Sequence, residues 1–108
     1  MCEHPSAVKV VMDAGGAVAF VAALHAYPSN VEMQRRGCLA LATMTDGEEE
    51  HKRAVVNAGG VAVAVDALRA HPSDMEVQRA GCVVLANIVL GDEACKKAVV
   101  DAGGVAVA

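Results

Sequence analysis

The stretch Val55-Val56-Asn57-Ala58-Gly59-Gly60-Val61-Ala62-Val63-Ala64 returns later in the chain as Val99-Val100-Asp101-Ala102-Gly103-Gly104-Val105-Ala106-Val107-Ala108. An earlier copy begins Val11-Met12-Asp13-Ala14-Gly15-Gly16. From Gly15 to Gly59 and from Gly59 to Gly103 the shift is 44 residues. Such a fixed interval is the signature of a repeat architecture, in which each copy cannot bury its apolar face alone. The rest of the unit keeps the interval. Pro28-Ser29 returns as Pro72-Ser73, Gln34-Arg35 as Gln78-Arg79, Gly37-Cys38 as Gly81-Cys82 and Leu41-Ala42 as Leu85-Ala86. Between 15–58 and 59–102 roughly half the positions are identical. The 108 residues therefore read as one repeat domain: a partial repeat at 1–14, full repeats at 15–58 and 59–102, and a truncated repeat at 103–108.

Each unit divides at its punctuation. The paired glycines 15–16 and 59–60 end one helix and admit another, because glycine tolerates the backbone of a helix C-terminus. Pro72 stops the next helix, and Ser73 or Asp74 supplies a side chain to cap the one after it. Gly91-Asp92 closes that helix and opens the following unit. The spacing predicts three helices per unit, near 48–58, 60–71 and 74–90, with equivalents near 4–14, 16–27 and 30–46. Val61-Ala62-Val63-Ala64-Val65 alternates like a strand, but the longer window decides against it. Val61, Ala64, Val65 and Leu68 form an i, i+3, i+4, i+7 stripe with Asp66 and Arg69 opposite. Val77, Gly81, Leu85 and Ile88 repeat that logic in the third helix. The fold class is all-α.

Composition agrees. Hydrophobic residues make up 55% of the chain, with no Trp, one Phe (Phe20) and one Tyr (Tyr27). The core must be built from Ala, Val, Leu, Met and Cys, small side chains that let helices approach closely. A net charge of −4 with both signs interspersed lacks the basic footprint of a nucleic-acid binder, and the scarcity of aromatics removes a stacking platform for bases. No apolar run approaches the ~20 residues of a membrane span, and Met1-Cys2-Glu3-His4-Pro5 does not open a secretory signal. Four cysteines without such a signal point to free thiols in a reducing compartment, the cytoplasm or the nucleus reached by diffusion.

A three-helix unit of this length, with Val99-Val100-Asp101-Ala102-Gly103-Gly104 between helices and Val83-Val84-Leu85-Ala86-Asn87-Ile88 near a helix end, resembles the armadillo repeat, a close relative of the HEAT repeat. The resemblance covers essentially the whole chain. It implies a right-handed α-α superhelix, an armadillo-type solenoid whose third helices line a concave groove for extended peptides or partner helices. The family's groove carries a Trp one turn before an Asn on each third helix. Here Leu39 and Val83 hold the Trp position, and Thr43 and Asn87 the Asn position. The nuclear-import style of recognition, which stacks Trp against basic side chains, is therefore not implied.

The groove candidates are Glu32, Arg35, Arg36, Leu39, Thr43, Glu76, Arg79, Val83 and Asn87. The Asn87 amide offers a donor and an acceptor to a peptide backbone, or is simply wetted by solvent. Arg35 and Arg79 lie four residues before Leu39 and Val83 and share their faces. With Arg36 they select acidic or mixed-charge partners by bidentate pairing, or pair locally with Glu32 and Glu76 on a solvated face. Cys38 and Cys82, at one phase of successive third helices, are expected to be buried small hydrophobes rather than a disulfide, since neighbouring helix axes lie ~8–10 Å apart. Gly37 and Gly81 beside them are expected to permit close helix approach. Cys2 and His4, and His51 and Cys95 at one repeat phase, lack the paired spacing of a metal site. No nucleophile–base–orienter set is apparent, and no Gly-Lys-Ser/Thr follows the paired glycines. Neither cofactor nor metal is expected.

A solenoid ordinarily needs about three units and polar caps. The chain instead stops at Val105-Ala106-Val107-Ala108, which begins a helix without a polar face. Joining residue 108 to residue 1 of another copy would omit the equivalent of 65–88. The ends therefore mark a piece of a longer array, or associate less regularly through Val105 and Val107. The expected function is a non-catalytic scaffold that binds a peptide or protein. The alternative is a structural element that forms homo-oligomers through its apolar ends.

Overall fold

The computed structural model describes Met12 and residues 15–101, and these contain helices and no strand. Six helices follow one another: α1 (Gly16–Ala26), α2 (Val31–Met44), α3 (Glu49–Asn57), α4 (Gly60–Ala70), α5 (Met75–Val89) and α6 (Glu93–Asp101). The all-helical reading is borne out. The expected helix near 4–14 lies outside the described residues, as do the ends at Val105 and Val107. Helix starts recur at the sequence interval, with Gly16 and Gly60, Val31 and Met75, and Glu49 and Glu93 each 44 apart.

Local chemistry sets these boundaries. Gly15 and Gly59 adopt φ of 83° and 94°, the left-handed region that other residues resist, and this turns the chain into α1 and α4. The second glycine of the later pair is needed for space. A Cβ on Gly60 would run into the Val55 side chain and sit 2.8 Å from the Val55 carbonyl oxygen. Past Pro28 and Pro72, a side chain caps the next helix: Asn30 Oδ1 accepts from Met33 N at 3.0 Å, and Asp74 Oδ1 from Val77 N at 3.0 Å. Asp92 Oδ1 does the same for Cys95 N at 3.0 Å at the start of α6.

The short helices are joined by two glutamines, Gln34 buried and Gln78 half-buried. Gln34 Nε2 donates to the carbonyls of Leu24 and Tyr27, both at 3.0 Å. Gln78 Nε2 repeats this with Leu68 at 2.9 Å and His71 at 3.1 Å. One amide thus reaches two carbonyls at the end of the preceding helix, of which those of Tyr27 and His71 also accept from Asn30 N and Asp74 N. Gly37 and Gly81 have the role expected of them. A Cβ at Gly37 would enter the Leu24 side chain, and one at Gly81 would lie 2.9 Å from Leu68 Cδ2.

The predicted stripes are buried. Val61, Ala64, Val65 and Leu68 face inward with Asp66 and Arg69 exposed, and Val77, Gly81, Leu85 and Ile88 are buried along α5. One core runs through the helices and includes Val21, Leu24, Leu41, Val55, Leu85 and Ile88. A smaller cluster of Cys38, Ala67, Val77 and Ala80 seals α2 against α4 and α5. Burying each such Val, Leu or Ile stabilises by roughly 1.5–3 kcal/mol before conformational entropy is counted.

Candidate functional site

α5 lies along α2, and the nine groove candidates are divided by that contact into two groups. The first faces solvent. Leu39 is 61% exposed and Val83 40%, so the same phase of two successive units presents a large apolar side chain to water. Thr43 is exposed as well, its hydroxyl donating to Leu39 O at 3.0 Å. Around them stand Glu32, Arg36, Glu76 and Arg79, also exposed. Glu32 pairs with Arg36 at 2.7 Å, and Glu76 with Arg79 at 3.6 Å. The Arg36 guanidinium, and Arg35 after it, hold the Glu32 carboxyl below its usual range.

The second group is half-buried and bonded to other residues of the protein. Arg35 Nε and Nη2 both donate to Asp74 Oδ2, at 3.0 and 2.6 Å, while Nη1 reaches Glu32 Oε1 at 3.2 Å. The Asp74 carboxyl is lowered chiefly by that guanidinium and next by the Val77 backbone N–H. Arg35 therefore joins the two units, its guanidinium held by Asp74 and Glu32 while its side chain stays 41% exposed. Asn87 behaves alike. Its Nδ2 donates to Ala42 O and to Thr45 Oγ1, both at 3.2 Å, and so ties α5 to the C-terminal turn of α2. The sequence reading gave this amide to a peptide or to solvent; its donor belongs to the fold.

The cysteines divide in the same way. Cys38 is fully enclosed, as expected, and burial pushes its thiol up to about 11. Cys82, expected to be buried too, is exposed. The physical reason is coverage: Ala80 and Val77 of the second unit pack with Cys38, and nothing among the described residues stands in their place over Cys82. Cys38, Cys82 and Cys95 are free thiols.

One cluster escaped the sequence reading. Glu49, Asp92 and Cys95 bring a ligand atom each within 4.8 Å of one another. These atoms already serve one another. Glu49 Oε2 accepts from Asp92 N at 2.7 Å and from Cys95 Sγ at 3.6 Å, while Asp92 Oδ2 pairs with Arg53 at 2.9 Å. Two carboxylates at the first turn of α6 satisfy its N–H groups and its dipole. The Cys95 thiol is raised to about 11, by burial first and then by Asp92 and Glu49. The only sequence trace was that His51 and Cys95 share a phase, and Glu49 went unnoticed because its partners lie 43 and 46 residues away. Cys2 and His4 lie outside the described residues.

A cleft of about 170 Å³ between α1 and α4 is lined by Leu24, His25, Pro28, Gln34, Val63 and Asp66. A shallower one of about 430 Å³ adjoins it at Val18, Ala22 and Ala62. None of the nine groove candidates lines either.

No protein-family model and no curated protein matches the chain. Among solved structures, the crystal structure of an engineered protein from the Northeast Structural Genomics Consortium is similar, at 41% identity and a TM-score of 0.83. The match covers 93% of this chain and 39% of that one, so the chain spans about two fifths of the length of the engineered protein.

Proposed function

We propose that this chain is a non-catalytic protein-interaction module of the armadillo type, a right-handed superhelix with three helices per 44-residue unit. Its ligand is a peptide or protein segment laid across α2 and α5. One observation carries the reading. Leu39 and Val83 occupy the same phase of two units and are both exposed, on helices whose other large aliphatic side chains point mainly into the core. A regularly spaced apolar pair flanked by Glu32, Arg36, Glu76 and Arg79 suits a partner with apolar side chains at intervals and mixed charge between them. The thiol chemistry fits a scaffold better than an enzyme. Cys38 and Cys95, both raised to about 11, are protonated at neutral pH and poor nucleophiles.

The test is selection from a displayed library of random extended peptides on the intact chain. Leu39→Asp and Val83→Asp should each weaken captured peptides by about tenfold or more, while the thermal midpoint stays near that of the parent. A library that yields no binder, or binders indifferent to both substitutions, would count against the groove. Association between copies is the second reading, favoured by the exposure of Met75, Val89, Leu90 and Val100 near the end of the second unit. A particle mass that rises with concentration would support it.

A further inference from the structure

The contact between the two units shows, group by group, what a unit of this kind places on its neighbour. Four sites on the first unit receive the second. The Pro28 carbonyl lies 2.8 Å from His71 Nε2, which must donate because a carbonyl only accepts. Arg35 takes Asp74, and Ala42 O takes the Asn87 amide. Arg53 takes Asp92 at 2.9 Å, next to the Glu49 carboxylate that accepts from Asp92 N. Between these polar sites Cys38 is sealed under Val77 and Ala80.

Moved on by 44 residues, the receiving groups are Pro72, Arg79, Ala86, Glu93 and Lys97, with Cys82 in the middle. The chemistry is retained at each, and only Thr45 is lost, to Val89. This second set is open. Cys82, Ala86 and Glu93 are exposed, and Met75 and Leu90 beside them are 71% and 76% exposed.

We propose that this open side of α5 and α6 is a selective docking surface for a further helical unit bearing the contact residues of the second unit. Its occupant brings a carboxylate at a helix N-cap to Arg79, as Asp74 comes to Arg35. It lays an alanine at the Ala80 position over Cys82, and it donates an Asn amide to the Ala86 carbonyl. A second copy of the chain does not fit this description. The side it would offer is that of the first unit, where Asn30 replaces Asp74, Arg36 replaces Ala80 and Thr43 replaces Asn87. Arg36, with its partner Glu32, would set a charged side chain against the apolar Cys82 position, and Asn30 brings no carboxylate to Arg79. This surface is separate from the Leu39–Val83 pair, and the proposal holds whether or not that pair binds a peptide.

The experiment extends the intact chain beyond Ala102 by a copy of residues 59–102, or in a second protein by a copy of residues 15–58. Alkylation of Cys82 is followed site by site in each, with helix content by circular dichroism. The 59–102 extension should slow Cys82 alkylation by about tenfold or more relative to the parent, and the 15–58 extension should slow it clearly less. Equal rates in parent and 59–102 extension would overturn the proposal. So would a 59–102 extension that stays unfolded on a folded parent, because the surface would have failed to hold the unit it matches. Cys82 protected in the parent itself as concentration rises would show that a second copy covers the surface, and the claimed selectivity would be lost.

Discussion

Cys38 and Cys82 sit at one phase of two units that share half their sequence, each preceded by a glycine and followed four residues later by an alanine. Cys38 is fully enclosed and Cys82 is exposed. The contrast continues along both helices. Val31, Ala42 and Thr45 are less exposed than Met75, Ala86 and Val89, and buried Lys52 has exposed Lys96 as its counterpart. On the opposite side the order reverses, with Ala80 and Val84 buried where Arg36 and Ala40 are not. Burial in this fold thus has two sources. Leu24, Leu41 and Val55, like Leu68, Leu85 and Val99, are buried in both copies by their own unit and its core, whereas the Cys38 row is buried only by what stands next to it.

The sharpest way to break this comparison is to place a charge at the two cysteines. Cys38→Asp would confine a carboxylate among the apolar Val77, Ala67 and Ala80, and should cost about 3 kcal/mol or more in urea unfolding. Cys82→Asp should stay within about 0.5 kcal/mol of the parent. Similar losses at both positions would mean that the Cys82 row is covered after all.

Thiol chemistry reads the same contrast without mutation. With its thiol raised from 9.0 to about 11, Cys38 has a thiolate about 100-fold scarcer than an ordinary cysteine near neutral pH. Enclosure slows it further. Site-resolved alkylation at pH 7.5 should label Cys82 well ahead of Cys38 and Cys95, which should react only as the protein opens. Comparable rates at Cys38 and Cys82 would remove the distinction between the two rows.

Asn87 and Thr43 supply the next comparison. Asn87→Ala removes the bonds to Ala42 O and Thr45 Oγ1 and should cost on the order of 1 kcal/mol. Thr43→Ala removes only a hydroxyl bonded back to its own helix and should lie within about 0.5 kcal/mol of the parent. If the two substitutions proved equal, the Asn87 amide would contribute nothing to joining the units.

These pairs also show what could be read before any coordinates. Helix positions, the punctuating glycines and the stripes of α4 and α5 follow from interactions within a few residues or one turn, and the 44-residue repeat states them twice. Of the groove candidates, Glu32, Arg36, Leu39, Thr43, Glu76, Arg79 and Val83 face water, as a reading by helical face expects. Arg35 and Asn87 were assigned outward because their partners, Asp74 and Ala42, lie 39 and 45 residues away. No helical period connects residues so distant. A signal did exist in the places where the copies disagree in polarity: Asn30 against Asp74, Arg36 against Ala80, Thr43 against Asn87. At Arg36 and Ala80 the difference in polarity goes with a difference in burial, Arg36 being exposed and Ala80 buried.

The smallest effect is electrostatic, and it tests whether Arg35 and Arg79 differ as the two cysteines do. Arg35 holds the Asp74 carboxyl below its usual range, and the Val77 N–H adds to this. A carboxyl whose folded pKa is depressed contributes stability that is present above its unfolded pKa and is lost as pH falls through the folded one. Thermal midpoints should therefore fall on acidification below about pH 4, and Asp74→Asn should flatten part of that fall while lowering the midpoint at neutral pH. The exposed Arg79–Glu76 pair, 3.6 Å apart, serves as the control. Glu76→Gln should leave both the neutral midpoint and the acid slope close to the parent's. An acid slope untouched by Asp74→Asn would mean that the Arg35–Asp74 pair does not couple the units, and that the receiving arginine of the open face has no partner to wait for.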